Sequence, residues 1–348
     1  MPGSSPSAGP GDAALRRSST WWRGGGRRRL VRAVLVALLV AEAAVGGHAL
    51  VTALGRLTEP AWPWVAVAVL AELTSMVAYG RMQQRLLRAE AVPVRLSTAV
   101  RLAYAAHALS ISLPGGPVFS TAYNFRRMRT LGASAAVASW CIALSGVLSA
   151  AALVALAAVA ELLRGSTDGL ASTLLHLAGA AAALLAVRML GRRPGWLHRG
   201  ATAGLAVLNR LRRRPPATGL DQVHDTLDRL VAVRLPRAEL GAAAGQALLN
   251  WVLDALALVL CIRAVGGEVP GLLPLLLAYA AGMTAASLTI VPGGLGVVDG
   301  ALVLGLVTAG TAAGPAIAAV VLYRLLSLGL VGGIGWALYL LDRRRADD

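Results

Sequence analysis

Residues 277–300 read Leu277-Ala-Tyr-Ala-Ala-Gly-Met-Thr-Ala-Ala-Ser-Leu-Thr-Ile-Val-Pro-Gly-Gly-Leu-Gly-Val-Val-Asp-Gly300, an apolar run interrupted by Pro292, Gly293, Gly294 and Gly296. Proline removes a helical N–H group and clashes with the preceding turn, and glycine readily takes non-helical dihedral angles. The pattern therefore predicts a helix that unwinds in its interior.

A second stretch repeats this pattern upstream. Residues 102–116 read Leu102-Ala-Tyr-Ala-Ala-His-Ala-Leu-Ser-Ile-Ser-Leu-Pro-Gly-Gly116, with the same Leu-Ala-Tyr-Ala-Ala opening and a break at Pro114, Gly115 and Gly116. Two broken segments in corresponding positions indicate the binding site of a transporter. The glycines and prolines of both breaks are therefore candidate site residues.

The composition excludes an ordinary soluble globule. Of the 348 residues, 57% are hydrophobic and 14% are charged, and the mean hydropathy is +0.66, which is typical of a polytopic membrane protein. All 33 basic residues are arginine, which excludes lysine Schiff-base chemistry and P-loop phosphate binding. The net charge of +16 would suggest nucleic acid in a soluble protein, but the arginines lie between apolar runs, where membrane topology and anionic lipid explain them. No nucleic-acid partner is expected.

No metal or cofactor site is expected either. The two cysteines, Cys141 and Cys261, lie singly in apolar runs and are predicted to be core residues. The five histidines show no metal-ligand spacing.

The apolar runs predict an all-α, polytopic membrane bundle. Each predicted span approaches or exceeds the roughly 20 residues that a helix needs to cross the hydrocarbon; the six are residues 30–54, 61–80, 133–162, 169–190, 238–262 and 314–341. The broken segments, 96–130 and 270–310, add two re-entrant hairpins or, if they span fully, raise the total to eight or more helices.

The distribution of arginine predicts the orientation of the bundle. Arginine-rich segments are expected on the cytoplasmic side; they are residues 16–32, 81–101, 126–129, 188–237 and 343–345. Both termini are then cytoplasmic, and the two hairpins enter from opposite faces. An inverted repeat would give this arrangement.

Three further parts of the chain complete the domain organisation around the membrane domain at 30–341. Residues 1–29 are predicted to be a disordered basic cytoplasmic tail, and residues 342–348 a second cytoplasmic tail. The loop at 191–237 has apolar positions at helical spacing among arginines, which favours surface helices on anionic lipid over a docking site for a partner.

Ionisable residues inside the spans are functional candidates because charges in a bilayer are costly. The candidates are Glu42, Glu72, Arg101, Asp254, Asp299 and Arg324. For Glu72 and Glu42 a structural carboxyl is favoured over coupling to protons, and Arg101 lies near a cytoplasmic end, where it can extend to water.

Two arrangements among these residues are more informative. Gln246, Asn250 and Asp254 line one helix face, which suits either a substrate site or hydrogen bonding between helices. Arg324, beside Tyr323, needs a partner in the membrane; Asp299, Asp254 and an anionic headgroup are the alternatives. Backbone N–H groups at residues 295–297 offer an anion site where the helix resumes.

The run Pro292-Gly-Gly-Leu-Gly-Val-Val-Asp299, followed by Tyr323-Arg324-Leu-Leu-Ser327, resembles the lysylphosphatidylglycerol synthase transmembrane, or flippase-like, domain family. The upstream Leu113-Pro-Gly-Gly116 with Phe125-Arg-Arg-Met-Arg-Thr-Leu-Gly-Ala-Ser134 is similar to the first motif of that family. Two departures stand out: Asp299 replaces the usual glutamate, and the aminoacyl-transferase domain that family synthases carry is absent, so aminoacyl-lipid synthesis is not expected.

The resemblance implies a transporter that moves a phosphate-bearing lipid between the leaflets of the bacterial inner membrane. The lipid could be a phospholipid, an aminoacyl-phospholipid or a prenyl-phosphate-linked sugar. Arg324 is the expected phosphate partner, and Asp299 and Asp254 either balance its charge or contact a cationic headgroup.

Two alternatives to transport remain. One is a non-catalytic membrane partner of a separately encoded lipid-modifying enzyme or glycosyltransferase, bound through the 191–237 loop. The other is a membrane enzyme acting on lipid-linked substrates, which is disfavoured because the loops lack a carboxylate pair, a metal cluster or an activated nucleophile. The oligomeric state is not predicted.

Overall fold

The computed structural model describes residues 59–164, 202, 236–288 and 291–347, and these residues form helices and no strand. The helices are α1 (Trp62–Ala89), α2 (Leu96–Ser112), α3 (Gly116–Thr130), α4 (Ala135–Arg164), α5 (Arg237–Ala264), α6 (Leu272–Leu288), α7 (Val297–Thr308), α8 (Ala313–Arg324) and α9 (Gly332–Asp347). A 3-10 turn, Pro292–Gly294, precedes α7, and a π-helical segment, Leu325–Val331, joins α8 to α9.

Four helices are long and apolar enough to cross a membrane: Trp62–Ala89, Ala135–Leu163, Arg237–Ala264 and Ala313–Arg344. They confirm four of the six predicted spans, and the helical membrane bundle with them. The predicted spans at 30–54 and 169–190 lie outside the described residues. So do Glu42, the tail at 1–29 and nearly all of the 191–237 loop.

The two broken segments form helical hairpins of short helices. Helices α2 and α6 have 17 residues each, or about 25 Å at 1.5 Å per residue, which is less than the ~30 Å of a bilayer core. The chain turns back at the Pro-Gly-Gly sequences, where Gly115 has φ +66° and Gly293 has φ +63°. Both interruptions predicted from the sequence are therefore present, and helices this short favour re-entrant hairpins over full spans.

The hairpins enter the bundle from opposite ends. Helices α1 and α5 are antiparallel, because Ala61 N–H donates to Ala264 O (2.8 Å) at one end and Arg85 pairs with Glu239 (3.2 Å) at the other. The α2–α3 hairpin follows the end of α1, and the α6–α7 hairpin follows the end of α5, so each starts at a different face. Their tips meet in the middle, where a Cβ on Gly293 would lie 3.3 Å from Ile111 O.

A long helix, a hairpin and a second long helix thus occur twice among the described residues. The first set is α1, α2–α3 and α4, and the second is α5, α6–α7 and the continuous helix from α8 to α9. The opposite entry of the two hairpins is what an inverted repeat requires. Which face is cytoplasmic stays a prediction from the arginine distribution.

Small residues allow close helix packing, as in many membrane bundles. Gly335 of α9 lies against α2 so closely that a Cβ would be 2.2 Å from Tyr104 O and 2.7 Å from the Ala108 Cβ. The predicted core cysteines, Cys141 and Cys261, are fully buried free thiols.

The substitution Gly335→Ala is therefore expected to destabilise the fold by about 1–3 kcal/mol or more, because the backbone of α2 must move. The measurement is the half-life of the purified protein in detergent at a fixed raised temperature, followed by tryptophan fluorescence. Gly333→Ala in the same helix is the control: a Cβ there meets nothing within 4 Å, and alanine favours a helix by about 0.5–1 kcal/mol over glycine. Equal half-lives for the two variants would contradict the close packing.

Candidate functional site

The meeting point of the two hairpins borders a cavity of about 650 Å³. It lies among α1, α2, α3, α5, α8 and the tips of both hairpins. Most buried side chains of the described bundle are apolar, and the cavity lining gathers several polar ones. The lining includes Glu72, Ser75, His107, Asn250, Asp254 and Arg324.

Arg324, the last residue of α8, is held at the tip of the second hairpin. Its Nε atom donates to Asp299 Oδ1 at 2.5 Å, and its Nη2 atom donates to Gly293 O at 2.8 Å. Of the two side chains that the sequence allowed as partners, Asp299 rather than Asp254 pairs with Arg324. The guanidinium has five N–H donors, more than these two contacts use, and it borders the cavity.

Asp299 also caps the N-terminus of α7 in the same hairpin. It is the third residue of α7, and its Oδ2 atom accepts the N–H of Gly296 at 2.9 Å. Its charge also lies at the helix N-terminus, where a negative charge is favourable. Asp299 thus occupies one N–H of the predicted anion site at residues 295–297, and it is not among the cavity-lining residues that the structure describes.

Asp254 occupies the opposite part of the cavity. The hydroxyl of Tyr323 lies 3.0 Å from both carboxylate oxygens, and the hydroxyl of Tyr279 also donates to Oδ2. Hydrogen bonds to a charged acceptor are stronger than neutral ones, so the two phenols stabilise the carboxylate.

Asn250 lies one turn before Asp254 and binds α1. Its Nδ2 atom donates to Ser75 Oγ (2.6 Å) and Ser75 O (3.1 Å), and Ser75 Oγ lies 3.1 Å from Asn250 O. Asn250 thus joins α5 to α1 while lining the cavity. Gln246, the first residue of the predicted stripe, borders a separate basic groove beside Arg81 and Glu239.

The structure brings most of the predicted site residues to one cavity. The lining contains Gly115, Gly116, Asn250, Asp254, Gly293, Gly294, Tyr323 and Arg324. The other four lie at the hairpin tips outside the described lining: Pro114, Pro292, Gly296 and Asp299. These four shape the turns or hold Arg324.

Sequence reasoning missed two contributors, Ser75 and Tyr279, and named a third, Glu72, only as a candidate. Glu72, which it favoured as a structural carboxyl, lines the cavity and is 4% exposed, and Ser75 lies one turn further along α1. Tyr279 belongs to the repeated Leu-Ala-Tyr-Ala-Ala sequence, whose duplication was a usable signal for a functional tyrosine. Its counterpart Tyr104 donates to Leu73 O (3.2 Å).

Arg101 lies outside the cavity, and it does more than extend to water. Its Nη2 atom donates to the Asp342 carboxylate, and Arg127 lies 3.4 Å from the same group. Asp342 is 8% exposed in α9, so this ion-pair cluster ties α9 to the first hairpin.

A family model described as "Lysylphosphatidylglycerol synthase TM region" matches residues 29–335, which covers both hairpins, the cavity and Arg324. No curated protein matches the chain.

Proposed function

Because the chain belongs to the lysylphosphatidylglycerol synthase transmembrane-region family, we propose that it translocates a phosphate-bearing lipid between the leaflets of the bacterial inner membrane. Family and fold make it a membrane protein of the lipid-synthase and flippase-like group. The substrate class is a phospholipid, an aminoacyl-phospholipid or a prenyl-phosphate-linked sugar. Translocation needs no covalent step, and none is assigned to this chain.

The observation that carries the proposal is the polar cavity between the hairpin tips. Its volume of about 650 Å³ is within the range of small-molecule sites, and its polar groups would replace water around a headgroup. A membrane protein keeps such groups inside only at a cost, so their concentration at one place supports a substrate pathway.

The lining also reaches the surface of the bundle. Val118, in the first turn of α3, lines the cavity and is 72% exposed, and Phe119 beside it is 53% exposed. These apolar side chains suit contact with lipid tails. A headgroup could therefore enter the cavity at this hairpin while the tails stay in the bilayer.

Arg324 is the proposed phosphate partner. Guanidinium presents a planar fork of donors that matches phosphate oxygens, and some of those donors are not used by Asp299 and Gly293. Asp254 and Asn250 offer an acceptor and an amide to the rest of the headgroup. Release of Arg324 from Asp299 would let the second hairpin move, because the same contact holds the tip.

The direct test is headgroup translocation in liposomes that contain the purified full-length protein. Acyl-labelled fluorescent phosphatidylglycerol, aminoacyl-phosphatidylglycerol and a prenyl phosphate serve as three probes, and quenching from outside reports the labelled lipid left in the outer leaflet. We expect protein-dependent translocation of at least one probe. The absence of translocation for all three would refute the proposal.

Sidedness is the remaining part of the proposal. We propose that both termini are cytoplasmic. The arginines of the α1–α2 connection, the end of α3 and the end of α9 share one face, which supports this orientation. Labelling of an introduced cysteine at Ser120 or Ala312, after replacement of Cys141 and Cys261, would test which aqueous phase reaches each hairpin.

A further inference from the structure

Two carboxyl groups meet in the cavity. Glu72 belongs to α1 and Asp254 to α5, two helices that lie antiparallel to each other, and both side chains line the same cavity. Glu72 is 4% exposed. A carboxyl buried to this extent, in the same cavity as a second carboxyl, is costly to ionise, so the pair holds a proton.

The surroundings of the two groups differ. Asp254 accepts hydrogen bonds from Tyr279 and Tyr323, which stabilise its negative charge. Glu72 has no such donors: its Oε2 atom is buried and accepts no hydrogen bond from any residue that the structure describes. The proton of the pair is therefore assigned to Glu72.

Among the described residues, no unpaired arginine faces the two carboxyl groups. Titratable or charged side chains face it from four helices: Tyr104 and His107 of α2, Cys261 of α5, Tyr279 of α6, and Tyr323 and Arg324 of α8. From α4 and the π-helical segment the cavity receives the uncharged Ser149 and Ser327. The arginine of this set, Arg324, is already paired with Asp299.

A phosphate bound at Arg324 would change how tightly the Glu72–Asp254 pair holds its proton. Tyr323 is the neighbour of Arg324 in the chain and donates to Asp254, so the phosphate charge would arrive one residue from the pair. Added negative charge there makes the pair hold its proton more tightly. By linkage the proton must strengthen phosphate binding by the same factor.

The position of the pair adds a mechanical reason. Helices α1 and α5 each precede a Pro-Gly-Gly hairpin and pack antiparallel against each other, so they are corresponding helices of the two sets. A pair formed by one group from each lies where rocking of one set against the other would open the cavity to alternate faces.

We propose that Glu72 and Asp254 form a proton-binding site that couples headgroup translocation to proton movement. One proton enters the pair from one aqueous phase with the phosphate-bearing headgroup, and it leaves to the other phase when the headgroup is released. This inference rests on the proposed translocation. It adds an energy source to that function.

The test uses liposomes with the purified full-length protein, acyl-labelled phosphatidylglycerol as the probe, and a pH gradient of about one unit with the membrane voltage clamped by valinomycin and potassium. We expect labelled lipid to accumulate in the leaflet that faces the alkaline phase, and to reverse sides when the gradient is reversed. One proton per headgroup supports a leaflet ratio of at most about tenfold. A lumenal pH dye should also report acidification when probe is added to the outer leaflet.

The matched variants are Glu72→Gln and Glu161→Gln. Any translocation by the Glu72→Gln protein is expected to give equal leaflet distributions with and without the gradient. Glu161 is a buried carboxyl of α4 outside the described lining, so its variant should respond as the wild type does.

Each result decides a different claim. If the wild-type protein translocates the lipid, but the leaflet distribution is the same under the pH gradient and its reverse and the lumenal pH does not change, proton coupling is overturned. The proposed function then stays intact. No translocation of any probe overturns both. A response in Glu72→Gln equal to that of the wild type refutes the assignment to this pair. If Glu72→Gln does not fold, two measurements still test the proposal. They are the response of the Asp254→Asn protein to the pH gradient and the reversal of the wild-type lipid distribution when the gradient is reversed.

Discussion

The Arg324→Ala variant is expected to translocate phosphatidylglycerol about 100-fold more slowly than the wild type. Arg324 supplies the guanidinium at the cavity, and removal of one member of a shielded, hydrogen-bonded charge pair costs about 2–5 kcal/mol. Its loss also frees Gly293 O and Asp299 at the hairpin tip. The measurement is the initial rate of probe quenching in liposomes with equal amounts of folded protein.

Two controls separate phosphate binding from mere structure. Arg101→Ala breaks another partly buried arginine–carboxylate contact, outside the cavity, and should lower stability while leaving the translocation rate of the folded fraction near that of the wild type. Arg324→Lys keeps the charge without the planar fork, and an intermediate rate is expected. Wild-type rates in a folded Arg324→Ala protein would rule out its role as the phosphate partner.

The Arg324–Asp299 ion pair is also expected to affect the stability of the fold. Removal of either Arg324 or Asp299 alone leaves an uncompensated charge, whereas the Arg324→Ala/Asp299→Ala double variant leaves neither. The double variant is therefore expected to lose less stability than the two single losses added together.

The Gly116→Ala variant is expected to lose the fold of the first hairpin. A Cβ at Gly116 would lie 1.9 Å from Ser110 O and 2.8 Å from Leu109 O, both backbone atoms of α2. The return of the chain at Gly116 is therefore too tight for any side chain, and we expect a destabilisation of about 3 kcal/mol or more, with little folded protein recovered.

The neighbouring glycine provides the matched control. Gly115 has φ +66°, but a Cβ there meets nothing within 4 Å. Gly115→Ala should therefore cost only the backbone strain, about 1–2 kcal/mol. Both variants are measured by fluorescence-detected size-exclusion chromatography and by their half-life in detergent. Equal folded yields and half-lives for Gly116→Ala and Gly115→Ala would contradict the close approach of Gly116 to α2.

Hydropathy and helix breakers predicted the architecture well, because both depend on local sequence. The Pro-Gly-Gly breaks and the four described spans lie near their predicted positions. The end of α1 was missed by nine residues: Arg81, Arg85 and Arg88 lower the local hydropathy, but the helix continues to Ala89 because Met82, Leu86 and Leu87 keep one face fully buried. Average hydropathy cannot show which face of a helix is packed.

The site was harder to predict, because its contacts join distant parts of the chain. A mid-span glutamate such as Glu72 looks the same in sequence whether it is structural or part of a pair, and its partner Asp254 belongs to the other half of the chain. The pairing of Arg324 with Asp299 was one of three alternatives. Three-dimensional proximity decided between the two carboxylates, through the turn at Gly293.

The π-helical segment Leu325–Val331 sets the rotational phase between Arg324 and the glycine face of α9. An α-helix turns by about 100° for each residue, and a π-helical turn takes up one extra residue without lengthening the hydrogen-bonded chain by a full turn. Deletion of a single residue from this segment would therefore convert it to regular α-helix and keep Gly335 facing Tyr104, whereas the same deletion in the α-helical residues 332–334 would turn Gly335 about 100° away from Tyr104 relative to Arg324. The cost of a one-residue deletion in this helix therefore depends on whether it falls inside or outside the π-helical segment.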